Sequence, residues 1–167
     1  MYRLALLVLC VASLFVPLTA LAEEVHTAPS VFVTTSVGYP IALKTGTALP
    51  PGVAHGLAVV VPIKNGWGYL AEVGATTSFT AMRPSLMLIT GPSKKVAPNF
   101  ILGASIFYKL TPPYDGATSS THVLGGSIAP IIPIAIGSLS LPTGIGVNLA
   151  TGDPTLAFNL KLAVKVN

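Results

Sequence analysis

Residues 156–167 read LAFNLKLAVKVN. Leu156, Phe158, Leu160, Leu162, Val164 and Val166 share one parity, and Ala157, Asn159, Lys161, Ala163, Lys165 and Asn167 the other. A period of two is the signature of a β-strand, whose side chains alternate between two faces. One face here is apolar at every position and the other is small or polar. A strand with hydrocarbon on one side and a polar lumen on the other requires that division. It predicts an all-β chain of transmembrane strands.

The rest of the chain repeats the pattern. We read strands near 30–43, 53–63, 67–79, 82–90, 99–110, 122–136, 143–150 and 155–166. On the apolar faces lie, for example, Val31, Val33, Val37 and Ile41 in the first strand. Phe100, Leu102, Ala104, Ile106, Tyr108 and Leu110 do the same in the fifth. Lys64-Asn65-Gly66 reads as a tight hairpin, because Asn-Gly readily takes positive φ. No helical period interrupts the series. Eight antiparallel strands joined in sequence predict an up-and-down barrel, and closure removes the edges that would go unpaired in lipid.

Composition supports this. Charged residues make up 8% of the chain and hydrophobic residues 51%, against about 25% charged in an ordinary soluble domain. Beyond residue 22 no run is long and apolar enough for a transmembrane helix. The N-terminus has the form of an export signal: Tyr2-Arg3, an apolar core from Leu4 to Val16, Pro17, then Ala20-Leu21-Ala22 before Glu23. We therefore expect a signal peptide over 1–22 and one barrel domain over 23–167. The one cysteine, Cys10, falls in the signal, so no disulfide is expected. Nine Lys and Arg against five Asp and Glu is too diffuse a balance to suggest nucleic acid.

Signal peptide, length, eight alternating strands and small inward residues resemble the small bacterial outer-membrane barrels of the OmpA and OmpX type. The resemblance is one of pattern and size over the whole mature chain. It implies an outer-membrane location, a lipid bilayer as the main partner and a monomer. Two features depart from that class. The chain ends Val166-Asn167, where members often end on an aromatic residue. Pro130 and Pro133 fall inside the sixth strand, where each removes a ladder donor and puts strict closure in question.

The aromatics fit an interface reading. With the N-terminus on the periplasmic side, Trp67 and Phe100 fall at periplasmic ends and Tyr39, Phe79 and Tyr108 toward external ends, with Tyr69 a further interface aromatic. From Phe100 to Tyr108 a tilted strand rises about 21 Å, close to the apolar band of such barrels. Inward faces carry the remaining chemistry. Glu72 is the only acid inside any strand. A carboxylate there needs a cation, and Lys109 or Lys161 is the expected partner, in a structural plug or a narrow gate.

Three functional readings follow. The first is an outer-membrane barrel with a structural, surface-interaction or narrow-pore role and a largely plugged lumen. The second is a soluble secreted or periplasmic barrel or sandwich that binds an apolar ligand on inward apolar faces. The third, a lipid-modifying outer-membrane enzyme, would need His122 to work with Ser119, Ser120 and Asp115, and a triad is defined by geometry rather than by nearness in sequence. No metal-ligand spacing and no phosphate loop is present, so no cofactor and no nucleotide is expected. Loops 45–52, 111–121 and 150–154 would face outside, with Tyr114, Asp115 and His122 as possible contacts. Segment 91–98 would be a periplasmic connection nearly as long.

Overall fold

A computed structural model of the chain describes residues 28–80, 83–113 and 119–166. The expected signal peptide and its cleavage motif lie outside these residues, and so do Tyr114 and Asp115. The described strands are β1 (Ser30–Ala42), β2 (Thr47–Ala48), β3 (Gly52–Pro62), β4 (Trp67–Ser78), β5 (Pro84–Ala97), β6 (Phe100–Thr111), β7 (Thr121–Ile134), β8 (Gly137–Ser140), β9 (Thr143–Asn148) and β10 (Pro154–Lys165). Every pairing between them is antiparallel.

These strands make eight staves of one closed barrel. β2 prolongs the β3 stave along β1, with Leu49-Pro50-Pro51 between them. β8 and β9 are likewise one stave between β7 and β10. Their register runs straight through Leu141-Pro142: Ser140 faces Ile131 and Lys161, and Thr143 faces Ile128 and Phe158. The Leu141 N–H donates to the Pro130 carbonyl at 3.1 Å, and the Asn159 N–H donates to the Pro142 carbonyl at 2.9 Å. β1 pairs with β10 from Phe32↔Lys165 to Ala42↔Thr155, which leaves the sheet no free edge.

Three expectations need correction. Closure runs through Pro130 and Pro133, since Pro130 pairs with Leu102 and Pro133 with Ser138. A proline still offers its carbonyl, and Leu141 uses it. The seventh stave begins at Gly137, before the expected 143; Ser138 to Leu141 alternates correctly, but Pro142 hid the continuation. Segment 91–98 is no loop. β5 continues to Ala97, and the turn is Pro98-Asn99. Gly91 and Pro92, within that segment, keep their places opposite Leu70 and Tyr69 on β4. On the β6 side the ladder is interrupted between Thr90↔Ile106 and Ser93↔Gly103, and the register shifts between Lys95 and Ala97.

The apolar faces turn outward. Ile128 is 62% exposed, Ile106 56% and Leu160 52%. Among the described residues only Ala58 and Val61 are buried apolar side chains. A soluble domain cannot leave so much apolar surface in water, because hydrophobic burial is the main favourable contribution to its folding. No described helix is long and apolar enough to cross a membrane.

Short turns gather at one end. Between β3 and β4, Lys64-Asn65-Gly66 form a three-residue turn in which Asn65 (φ 61°) and Gly66 (φ 74°) take left-handed angles, and the Ile63 N–H donates to the Trp67 carbonyl at 2.7 Å. β1 starts and β10 ends at this same end, joined by the Val166 N–H and the Val31 carbonyl at 3.0 Å. β6 ends at Thr111 and β7 begins at Thr121 at the opposite end, the long-connection end.

Candidate functional site

The charged cluster of the lumen is built across three strands. Inward residues on β1 are even-numbered, as are those on β3 and β4, and those on β10 are odd. This places Thr34, Gly56, Glu72 and Lys161 inside. Gly56 on β3 separates Thr34 on β1 from Glu72 on β4. A Cβ at Gly56 would come within 3.1 Å of the Thr34 hydroxyl and 2.7 Å of the Val73 carbonyl. Without it, the Thr34 hydroxyl passes over the glycine and donates to Glu72 Oε1 at 2.8 Å. Lys161 Nζ forms a salt bridge and hydrogen bond with Glu72 Oε2. Both carboxylate oxygens are thereby engaged, and Glu72 is only 7% exposed. A buried carboxylate is tolerated under just these conditions, paired with a cation and hydrogen-bonded as well.

Of the two lysines considered from the sequence, the structure brings Lys161 to Glu72 and leaves Lys109 apart. Lys109 lines the lumen on β6, opposite Met87 and Val123. Among the described residues it has no carboxylate partner. Thr34 and Gly56 were missed. Their signal was present, since a glycine inside an alternating strand marks a close approach, but nothing in the sequence tells which neighbour approaches.

Beyond the cluster, toward the long-connection end, glycines make room for large groups. Gly146 leaves space for the Phe107 ring: a Cβ there would lie 3.0 Å from Phe107 Cζ and 2.8 Å from a Val123 methyl. Gly146→Ala should therefore overpack this layer and cost about 1–3 kcal/mol. Adding Phe107→Leu should recover much of that loss. The shift in heat-induced unfolding on a gel checks it, and strictly additive losses would mean that the ring is not what the methyl meets.

The aromatics expected at the membrane interfaces lie toward both ends of the barrel. The Trp67 ring lies under Lys94 Nζ, 5.0 Å from its centroid, and the same ammonium donates to the Asn65 carbonyl at 2.5 Å. That is an aromatic held at the short-turn end by a lysine reaching for polar groups. Phe100 begins β6 beside the same end. Tyr69, on the outer face, accepts a hydrogen bond from the Thr90 hydroxyl at 2.8 Å. At the other end the Tyr108 hydroxyl meets His122 Nδ1 at 2.5 Å, with ring centroids 5.9 Å apart. His122 is thus joined to an outer-face tyrosine. The triad considered from the sequence is not assembled among the described residues, and no group of metal-ligating side chains occurs among them. Above this end Lys44 and Asp153 tie two turns together. The hydrogen bond from Lys44, with a second contact from Thr151, holds the Asp153 carboxyl below the usual carboxylate range.

No protein-family model matches the chain, and no curated protein matches it in sequence. Solved structures do. The attachment invasion locus protein Ail of Yersinia pestis superposes with a TM-score of 0.52 at 12% identity, over 82% of this chain and 96% of that one. The same protein in complex with the heparin analogue sucrose octasulfate gives 0.45 at 13% identity, over 82% and 96%. A de novo designed transmembrane β-barrel gives 0.43 at 16% identity, over 81% and 95%. At 12% identity the likeness to Ail is one of fold: a small closed barrel of eight antiparallel staves.

Proposed function

We propose that the protein is a monomeric outer-membrane barrel, embedded in lipid through its outer face, which carries its loops on a rigid frame and is closed to ions at the level of Glu72. The observation that carries this is the outward apolar belt on a closed barrel. Water does not tolerate such a belt and hydrocarbon does. It also argues against a soluble barrel with its apolar faces inward. The aromatics at both ends match interfacial girdles. The Thr34–Glu72–Lys161 cluster supports a closed lumen, since a hydrated ion would have to displace a fully engaged carboxylate. The loops beyond Tyr108 and His122 are the surface offered to partners, and Ail, an attachment protein of like fold, makes a surface-interaction role the natural first test.

The protein is expected to fractionate with outer membranes, to need detergent for extraction and to migrate differently on a gel before and after heating. Recovery in the soluble fraction would overturn the assignment. A narrow-pore role is favoured by one observation, a lumen cavity of about 490 Å³ around the cluster. In planar bilayers the native protein should be silent under the closed reading. Steady conductance that changes with Glu72→Gln would replace that reading by the pore.

A further inference from the structure

One charge stands on the apolar outer face. Lys94 on β5 is the only Lys, Arg, Asp or Glu of outward parity among the described strands. Its cross-strand neighbours are Trp67 on β4 and Leu102 on β6, and Leu102 is 46% exposed on the outer face. Ser93, the preceding residue, lines the lumen, so Lys94 points the other way. A charge is costly in hydrocarbon, and a lysine on such a face carries its ammonium to the nearest polar layer. Lys94 does so: its Nζ lies over the Trp67 ring and donates to the Asn65 carbonyl of the turn. In a barrel embedded in lipid that level is the headgroup layer, where interfacial tryptophans sit.

An ammonium has three donors and no acceptor. The Asn65 carbonyl takes one and two remain, in basic surroundings. Lys95 is exposed, and a Cβ at Gly66 would stand 3.4 Å from Lys95 Cβ, so the turn that carries Lys64 packs against it. Lys165 ends β10 at the same end of the barrel. The two acids among the described residues are elsewhere. Glu72 is in the lumen with Lys161, and Asp153 is in a turn at the opposite end with Lys44. The charges described at the short-turn rim are therefore all positive.

Level and charge together select an occupant. Lipid phosphates lie in the headgroup layer, and a phosphate oxygen accepts strongly from an ammonium. A zwitterionic lipid brings a cation along with its phosphate. That cation would meet Lys94 and Lys95 with no described carboxylate to receive it. The aromatic face that could hold it is already covered by Lys94. A lipid of net negative charge brings no such conflict.

We propose that Lys94, beside Trp67 and Lys95, holds the phosphate of an anionic phospholipid of the phosphatidylglycerol type at the short-turn rim, in preference to zwitterionic lipids. The site rests on the reading that the outer face lies in lipid, and the test separates the two. Trp67 is the single tryptophan of the chain and serves unchanged as the reporter. The full-length exported protein is reconstituted into vesicles of equal parts phosphatidylcholine and phosphatidylglycerol. In one set the phosphatidylcholine carries bromine on its acyl chains close to the glycerol, and in the other the phosphatidylglycerol does. Bromine quenches tryptophan on contact, and each fluorescence is read relative to unbrominated vesicles holding the same variant.

Brominated phosphatidylglycerol should quench more strongly, to the extent expected of a lipid bound with about five-fold preference beside a basic residue. Lys94→Gln, whose amide can still donate to the Asn65 carbonyl, should bring the two sets close to equality. Lys94→Arg should keep the difference. Equal quenching by the two lipids in the native protein overturns the site and leaves the membrane assignment standing. A preference that Lys94→Gln leaves unchanged belongs to the rim as a whole, and overturns the site at Lys94. Lys94→Arg behaving like Lys94→Gln means that the charge is not what the lipid recognises, and overturns it too. Absence of quenching by either lipid takes Trp67 out of the bilayer, and removes both the membrane assignment and the site.

Discussion

Glu72→Gln should lower the temperature of the heat-induced gel shift more than any other lumen substitution, by the equivalent of about 3–5 kcal/mol. The reason is the cation left behind. Lys161 has a side chain only 14% exposed and its salt bridge is to Glu72. With a neutral amide opposite, the ammonium keeps its desolvation cost and loses its counter-charge. Lys161→Met in the same chain should therefore recover part of the loss, because both desolvation costs disappear together. Lys109→Met should show no such coupling, since Lys109 stands apart from Glu72. The measurement is a double-mutant cycle on the gel-shift temperature. Additivity of Glu72→Gln with Lys161→Met would mean that the ion pair contributes nothing, and coupling to Lys109 would mean that the wrong lysine has been paired.

The second large effect is on the outer face. Leu160 is 52% exposed at the middle of β10, between Val37 on β1 and Leu141 of the seventh stave. Leu160→Arg should cost about 2–4 kcal/mol if that position lies near the bilayer midplane. It should reduce the amount of folded, heat-modifiable protein. Ala163→Ser, on the lumen side of the same strand, should be mild. The contrast between two neighbouring positions of opposite parity is the informative quantity. Equal tolerance at both would remove the reason for placing the outer face in lipid.

Much of this architecture is legible in the sequence, because period-two alternation states both the strand and its faces. In β10, Ala157, Asn159, Lys161 and Ala163 line the lumen and Phe158 and Leu160 are exposed on the outer face, as their parity predicts. Glycine and proline are where the reading was less exact. The expected connection 91–98 contains Gly91-Pro92, and the expected start of the seventh strand, 143, comes just after Pro142, yet both places lie inside staves. A closed barrel pairs each strand on two sides, and one laddered side is enough to hold a residue that the other side lacks. Propensity acts locally and does not count neighbours. Pro130 raised doubt about closure because its missing N–H is visible in the sequence, while the use made of its carbonyl by Leu141 is not. The lumen was half legible. A lone strand acid calls for a cation, but choosing Lys161 over Lys109 needs the stagger of β10 against β1, which no single strand encodes.

The distance between Glu72 and Lys161 along the chain, 89 residues, has a kinetic consequence. Contacts so remote in sequence form late, because the loop entropy of bringing their ends together must be met first. Glu72 stands on β4 and Lys161 on β10, the last strand, so the pair is made only once β10 has docked and the barrel has closed. An open, half-assembled sheet would carry a bare carboxylate on the side that is to become the lumen, and such a sheet cannot sink fully into hydrocarbon. Insertion and closure are thereby expected to be coupled. The charge that rests quietly in the finished wall acts, during assembly, as a float that keeps the unfinished one at the surface.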